Sequence, residues 1–167
     1  YKRQFQNGPV HYPYPVIRMA EMYLNLAEIL IELDALENTT GRLEEAKGLI
    51  DKIRVRAGIP TIDEAWKKAN HPEKANTAEG LREIVRRERQ IEFYLENQRF
   101  WDLRRWKDAG ILGEKVWGMN IEGDTDETFF VPTELQNIRT FKQAQYLMPI
   151  PMTETNKVPH IVQNPGY

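Results

Sequence analysis

From Ile17 to about Leu36 the sequence is apolar almost all the way round a helix, and this stretch constrains the fold more than any other. The polar residues Arg18, Glu21, Asn25, Glu28 and Glu32 recur at intervals of three and four, which on a 3.6-residue repeat makes one narrow stripe. With that stripe read as the solvent side, nearly everything else from Met19 to Leu33 has to be covered by neighbouring elements. Such a helix needs partners.

The partners follow in the sequence. Asn38-Thr39-Thr40-Gly41 predicts a turn into a second helix over about 42–57, with Leu43, Ala46, Leu49, Ile50, Ile53 and Ala57 on one face. Arg54 and Arg56 suit the negative end of its dipole, Gly58 offers a left-handed cap and Pro60 forbids continuation. Residues 59–76 read as a loop with a short helical turn around 65–69. Thr77 reads as the N-cap of a third helix reaching about Glu96, with Asn97 as its left-handed cap. A fourth helix, about 99–109, ends at Gly110. The small-large pattern of Leu26, Ala27 and Leu30, then Ala46, Ile50, Ile53 and Pro60, echoes one tetratricopeptide helix pair.

Beyond Gly110 the helical period stops. Residues 115–121 and 128–131 have β-like character, Gly123-Asp124 offers a turn, and Thr153 is placed to cap a last helical turn. Residues 1–16, rich in Pro and Tyr, read as an extended lead-in. The expected fold is mainly α, with tetratricopeptide-like stacked helix pairs, long irregular loops and a small β-hairpin. It forms a single domain over 1–167: the lead-in, a helical scaffold over 17–109, and an irregular, extended region over 110–167.

Composition narrows the function. The 167 residues hold 23 Lys+Arg against 25 Asp+Glu, a formal net charge of −2, so no global positive field exists to bind nucleic acid. There is no Cys, hence no thiolate nucleophile or thiolate metal site. The longest stretch free of charged residues, Gln4 to Ile17, contains Pro9, Pro13 and Pro15, and nothing is long enough to cross a bilayer as a helix. His11, His71 and His160 are scattered without ligand spacing, and no phosphate loop or nucleophile elbow is present. No metal or cofactor is expected.

The densest charge cluster, Arg82 to Lys107, interleaves Arg with Glu and with Phe93, Tyr94, Phe100, Trp101 and Trp106. A nucleic-acid surface is one reading; a helix–helix elbow whose Arg residues are consumed by carboxylates is the stronger. Glu88 and Glu92 sit four apart on the apolar face of the third helix, where buried carboxylates need Arg partners from a neighbouring helix. As an acid/base pair they would need separated pKa values, and abundant Arg would hold both ionised. Trp101 and Arg105, one turn apart, suit a cation–π contact. Binding is the mechanism left, with Trp66, Trp117, Tyr12 and Tyr14 as candidate platforms for sugar rings or apolar ligands.

Several segments then resemble one family. Arg18-Met19-Ala20-Glu21-Met22-Tyr23-Leu24-Asn25-Leu26-Ala27-Glu28 is similar to the "R-x-A-E-x-x-L-N-x-A-E" helix of SusD/RagB-type outer-membrane nutrient-binding lipoproteins. Ile53 to Pro60 resembles their "IRxRAGxP" helix exit. Glu88 to Phe93 and Gln98 to Trp106 resemble their "ERxxEF…G-x-R-x-x-D-L-x-R-W" signature, with Asn97 where Gly is usual. Tyr146 to Pro151 and Gln163 to Tyr167 resemble their "YLxPIP…QNPGY" ending.

The resemblance covers the C-terminal portion of such proteins, which carry an N-terminal lipid-anchored Cys. It implies a tetratricopeptide-like scaffold on the outer face of the outer membrane. It implies capture of an oligosaccharide or other nutrient, without catalysis, for uptake through a partner TonB-dependent (SusC-like) barrel. Arg18, Glu21, Glu88, Arg89, Glu92, Arg99, Asp102 and Arg105 then read as a structural charge network. The other readings are a helical-repeat adaptor that grips a peptide or protein, and an enzyme acting on glycans.

Overall fold

The computed structural model describes residues 16–135 and 139–167; the lead-in before Val16, with Tyr12 and Tyr14, lies outside the described residues. The chain divides into two compact units, Tyr1–Tyr94 and Leu95–Tyr167, so the boundary falls inside the stretch expected as one helical scaffold.

In the first unit α1 (Met19–Glu37) and α2 (Leu43–Arg56) form a pair, and α4 (Ala78–Glu92) packs on both. A short α3 (Ile62–Lys68) and a 3-10 turn at Pro72–Asn76 connect α2 to α4. The core is built from every third or fourth residue: Ala20, Leu24, Ala27 and Ile31 of α1; Leu43, Ala46, Ile50 and Ile53 of α2; Leu81, Ile84 and Val85 of α4. Ile62 and Phe93 close its ends.

Local chemistry sets the helix ends. Asn38 ends α1 in the left-handed region at φ 52°, and its N–H donates to the Asp34 carbonyl. The fully buried Asp34 side chain then holds the turn, accepting from the Thr39 hydroxyl at 2.7 Å, the Arg42 backbone N–H at 2.7 Å and the Arg42 guanidinium at 2.9 Å. Burial pushes this carboxyl up, but those three donors outweigh it and hold it below its ordinary value. Gly58 is left-handed at φ 73°, as expected, and Thr77 caps α4 by accepting from the Gly80 N–H at 3.2 Å.

The third predicted helix is shorter than its sequence suggests. α4 ends at Glu92, because Phe93 leaves the helical path and buries its ring, 2% exposed, beneath the guanidiniums of Arg18 and Arg89 at 4.8 and 5.3 Å. Asn97 is left-handed at φ 63°, but as the residue before the next helix; Leu95 is left-handed too, at φ 65°.

The second unit contains α5 (Gln98–Arg105), a 3-10 turn at Ala109–Gly113 and a two-stranded antiparallel hairpin of β1 (Trp117–Met119) and β2 (Pro132–Glu134). Trp117 lies opposite Glu134 and Met119 opposite Pro132. α6 (Asp126–Phe129) lies between the strands in sequence and α7 (Met152–Lys157) follows them.

Three expectations change here. α5 stops at Arg105, short of Gly110, where Lys107 turns left-handed at φ 62° and its carbonyl accepts the Tyr146 hydroxyl at 2.7 Å. Residues 128–129 are helical, since Thr128 turns back to accept the Thr125 N–H at 3.1 Å. Thr153 lies inside α7, which starts directly after Pro151.

The tail is tied down by a side chain that imitates a strand. The Gln163 carboxamide accepts from the Ile150 N–H at 2.8 Å and donates to the Ile150 carbonyl at 2.9 Å. Asn164 donates to the Met148 carbonyl and the Tyr167 hydroxyl to that of Leu147. The protein is thus mainly α, with packed helix pairs and a small hairpin.

Candidate functional site

The polar stripe of α1 faces α4, not solvent. Arg82 of α4 holds Glu32 in a two-toothed pair at 2.6 and 2.8 Å. The Arg89 guanidinium donates to Asn25 at 2.6 Å and stands 3.9 Å from Glu28, which is 8% exposed. Arg18 donates to both the carboxylate and the backbone carbonyl of Glu92. Taking two long charge rows out of water is tolerable only when each finds the other, as these do.

Glu88 and Glu92 have their partners on α2 as well. Arg54 pairs with Glu88 and also donates to the Pro60 carbonyl at 2.7 Å; Arg56 reaches Glu92 at 2.5 Å. Burial pushes the Glu92 carboxyl up, but hydrogen bonds from Arg18 and Arg56 outweigh it and hold it below its ordinary value. A carboxylate held ionised in this way is a poor general acid. Sequence reasoning located both glutamates on the apolar face but gave Arg54 and Arg56 only a helix-dipole role. Their spacing gave no signal for more, since residues two apart on a helix point about 200° apart.

Beside this network lies a depression of about 290 Å³, lined by Trp66 and Ala69 of the α3 region, Ile84, Arg87 and Ile91 of α4, and the Arg54–Glu88 pair. Its lining combines apolar and aromatic side chains, Trp66, Ala69, Ile84 and Ile91, with the charged Arg54, Arg87 and Glu88. The half-buried Trp66 packs against the core and carries the Lys74 ammonium 5.2 Å from its ring. Arg87 donates to Gln90 on its own helix at 3.2 Å. Glu21 stands in the first turn of α1, the favourable end of the dipole.

The remaining residues of interest belong to the second unit. Asp102 is buried and accepts from Arg105 at 2.9 Å; Arg105 and Arg99 lie over Trp106 at 4.8 and 5.9 Å. Trp101 receives Arg104 at 5.7 Å, and the same guanidinium lies 4.9 Å over Phe100 and donates to the Tyr146 carbonyl at 3.3 Å. Trp117 is exposed on β1, beside a Lys115–Glu134 pair at 2.7 Å. The eight network residues therefore separate: Arg18, Glu21, Glu88, Arg89 and Glu92 are in the first unit, and Arg99, Asp102 and Arg105 in the second. Among the described residues no group of His, Asp and Glu side chains gathers as metal donors, and no helix is long and apolar enough to cross a membrane.

Stacked helix pairs cross-tied by arginine and glutamate, with irregular chain following, define a tetratricopeptide-like helical scaffold. A family model described as the SusD family matches residues 2–167, and the chain belongs to that family. It is 30% identical over 161 residues to "SusD-like protein P2" of Formosa agariphila, covering 92% of this chain and 26% of that protein. Among solved structures, selenomethionine BT4246 is similar at 32% identity and a TM-score of 0.75, with 95% of this chain and 25% of that one covered. A SusD-like protein (BF3747) from Bacteroides fragilis is similar at 36% identity and a TM-score of 0.71, covering 93% and 28%. The chain spans about a quarter of the length of these relatives.

Proposed function

We propose that this protein captures a nutrient, in the first instance an oligosaccharide, without transforming it, and hands it to a TonB-dependent (SusC-like) barrel of the outer membrane. In this reading it works on the outer face of that membrane, held by a lipid anchor. Membership of the SusD family over residues 2–167 carries the proposal. The arrangement of charge supports it: the carboxylates best placed for acid/base work, Glu88 and Glu92, are engaged by Arg54, Arg56 and Arg18.

Ligand contact is assigned to aromatic side chains outside the long helices. Trp66, beside its depression, is the foremost candidate, because an indole among charged lining side chains suits the apolar face and hydroxyl edge of a sugar. Trp117, Tyr12 and Tyr14 complete the set.

Calorimetry of the native-length protein against a panel of oligosaccharides tests the proposal. At least one glycan is expected to bind, and Trp66→Ala is expected to weaken it about tenfold or more with folding retained. Failure of every glycan, with capture of a helical peptide instead, would replace this reading by the adaptor.

A further inference from the structure

The buried charged side chains are paired with opposite charges, with one exception among the described residues. Glu28 stands by Arg89, Asp34 by Arg42, Lys47 by Asp63 and Glu88 by Arg54; in the second unit Asp102 has Arg105. The exception is Arg104. It is 9% exposed, yet its acceptors are neutral: the Tyr146 carbonyl at Nε, and the Met148 sulfur at Nη1, 3.8 Å away. Among the described residues its Nη2 has no acceptor, and its guanidinium has no carboxylate partner. The rings of Phe100 and Trp101 offset part of the cost of a buried cation, and an anion would offset more.

Arg104 lines a cavity of about 290 Å³ within the second unit, and it is the one lining residue that is buried. Phe100, Phe141 and Tyr167 supply aromatic lining, and Thr140 and Gln145 supply polar lining. The Gln145 carboxamide oxygen is taken by the Lys142 N–H at 2.6 Å, which leaves its NH2 group to donate.

We propose that this cavity is a subsite for a uronate ring of an acidic oligosaccharide, with Arg104 on its carboxylate. The inference rests on the oligosaccharide reading above and narrows its ligand to a charged class. The volume is at the small end for ligand sites and suits one ring-sized unit. A planar guanidinium matches a carboxylate in two-toothed geometry, which the neutral carbonyl and thioether do not satisfy. The aromatic lining suits the C–H face of a sugar ring rather than a bare ion, and Thr140 and Gln145 suit its hydroxyls.

Calorimetry of the native-length protein tests this with trisaccharides of galacturonate, glucuronate, mannuronate and guluronate, each beside its neutral methyl ester. At least one acid is expected to bind about tenfold more tightly than its ester. Arg104→Met is expected to bring that ratio to about one. Arg104→Lys, which keeps the charge and loses the planar fork, is expected to lower it by about threefold. Trp66→Ala is expected to leave the ratio unchanged, and so would any loss that came from altered folding alone. An acid-to-ester ratio of one for every uronate in the parent overturns the inference. So does a ratio that survives in Arg104→Met or, should that variant not fold, in Arg104→Lys. A sulfated neutral trisaccharide that outbinds every uronate through Arg104 also overturns the carboxylate assignment. In each of these cases binding of neutral glycans still upholds nutrient capture, whereas failure of every saccharide, acidic or neutral, removes both readings.

Discussion

The Arg18 guanidinium, one residue before α1, binds both the carboxylate and the backbone carbonyl of Glu92, the last residue of α4. One side chain thereby neutralises a half-buried charge and satisfies a carbonyl that the helix end leaves without an internal partner. Removing the carboxylate leaves Arg18 and Arg56 facing each other without their shared anion. Glu92→Leu is expected to destabilise the protein by about 2 kcal/mol in urea titration. An unchanged midpoint would show that the pair contributes nothing to the fold.

The same carboxylate predicts a pH dependence. Glu92 and Asp34 are both held below their ordinary values, so their contribution is complete above the unfolded value of about 4. It is lost as pH falls through the lower folded values. The drop in melting temperature from neutral pH to about pH 3 should therefore be smaller in Glu92→Gln than in the parent, because one of the linked groups no longer titrates.

Two glycines predict opposite signs. Gly48 lies exposed within α2 with open space where a Cβ would go, so Gly48→Ala should stabilise by about 0.5–1 kcal/mol from helix propensity alone. Gly80 lies in the first turn of α4 against the Lys74 backbone, which a Cβ would strike. Gly80→Ala should lower the melting temperature despite the same propensity gain. Thermal denaturation of the two variants side by side decides it.

Leu95 and Asn97 separate the left-handed conformation from the residue that adopts it. Asn tolerates that region, whereas Leu pays about 1 kcal/mol to occupy it. Asn97→Gly should be neutral or slightly stabilising, and Leu95→Gly should stabilise more. A loss of about 1 kcal/mol or more in Asn97→Gly would contradict the backbone assignment.

Gln163→Leu removes both partners of Ile150 at once. The expected cost is about 1–3 kcal/mol, concentrated in the second unit. Amide exchange at Ile150 should quicken while exchange at Ile50 in the first core stays unchanged.

The sequence by itself determined the four longest helices, their order and their starts. Those rest on periodicity and on capping residues such as Thr77 and Gly58, which act within a few positions of themselves. It also singled out Glu88 and Glu92, because a charge on an apolar face is visible in the pattern. Only the tertiary structure decided which face of α1 is wet. Arg18, Asn25, Glu28 and Glu32 read as a solvent stripe because a lone helix shows no partner, and α4 supplies Arg82, Arg89 and Glu92 to cover it. The early ends of α4 and α5 were likewise invisible, since each is set by a contact distant in sequence: Arg18 against Phe93, and Tyr146 against Lys107. A hydrophobic pattern shows that a surface must be covered; what covers it depends on chain that arrives from elsewhere.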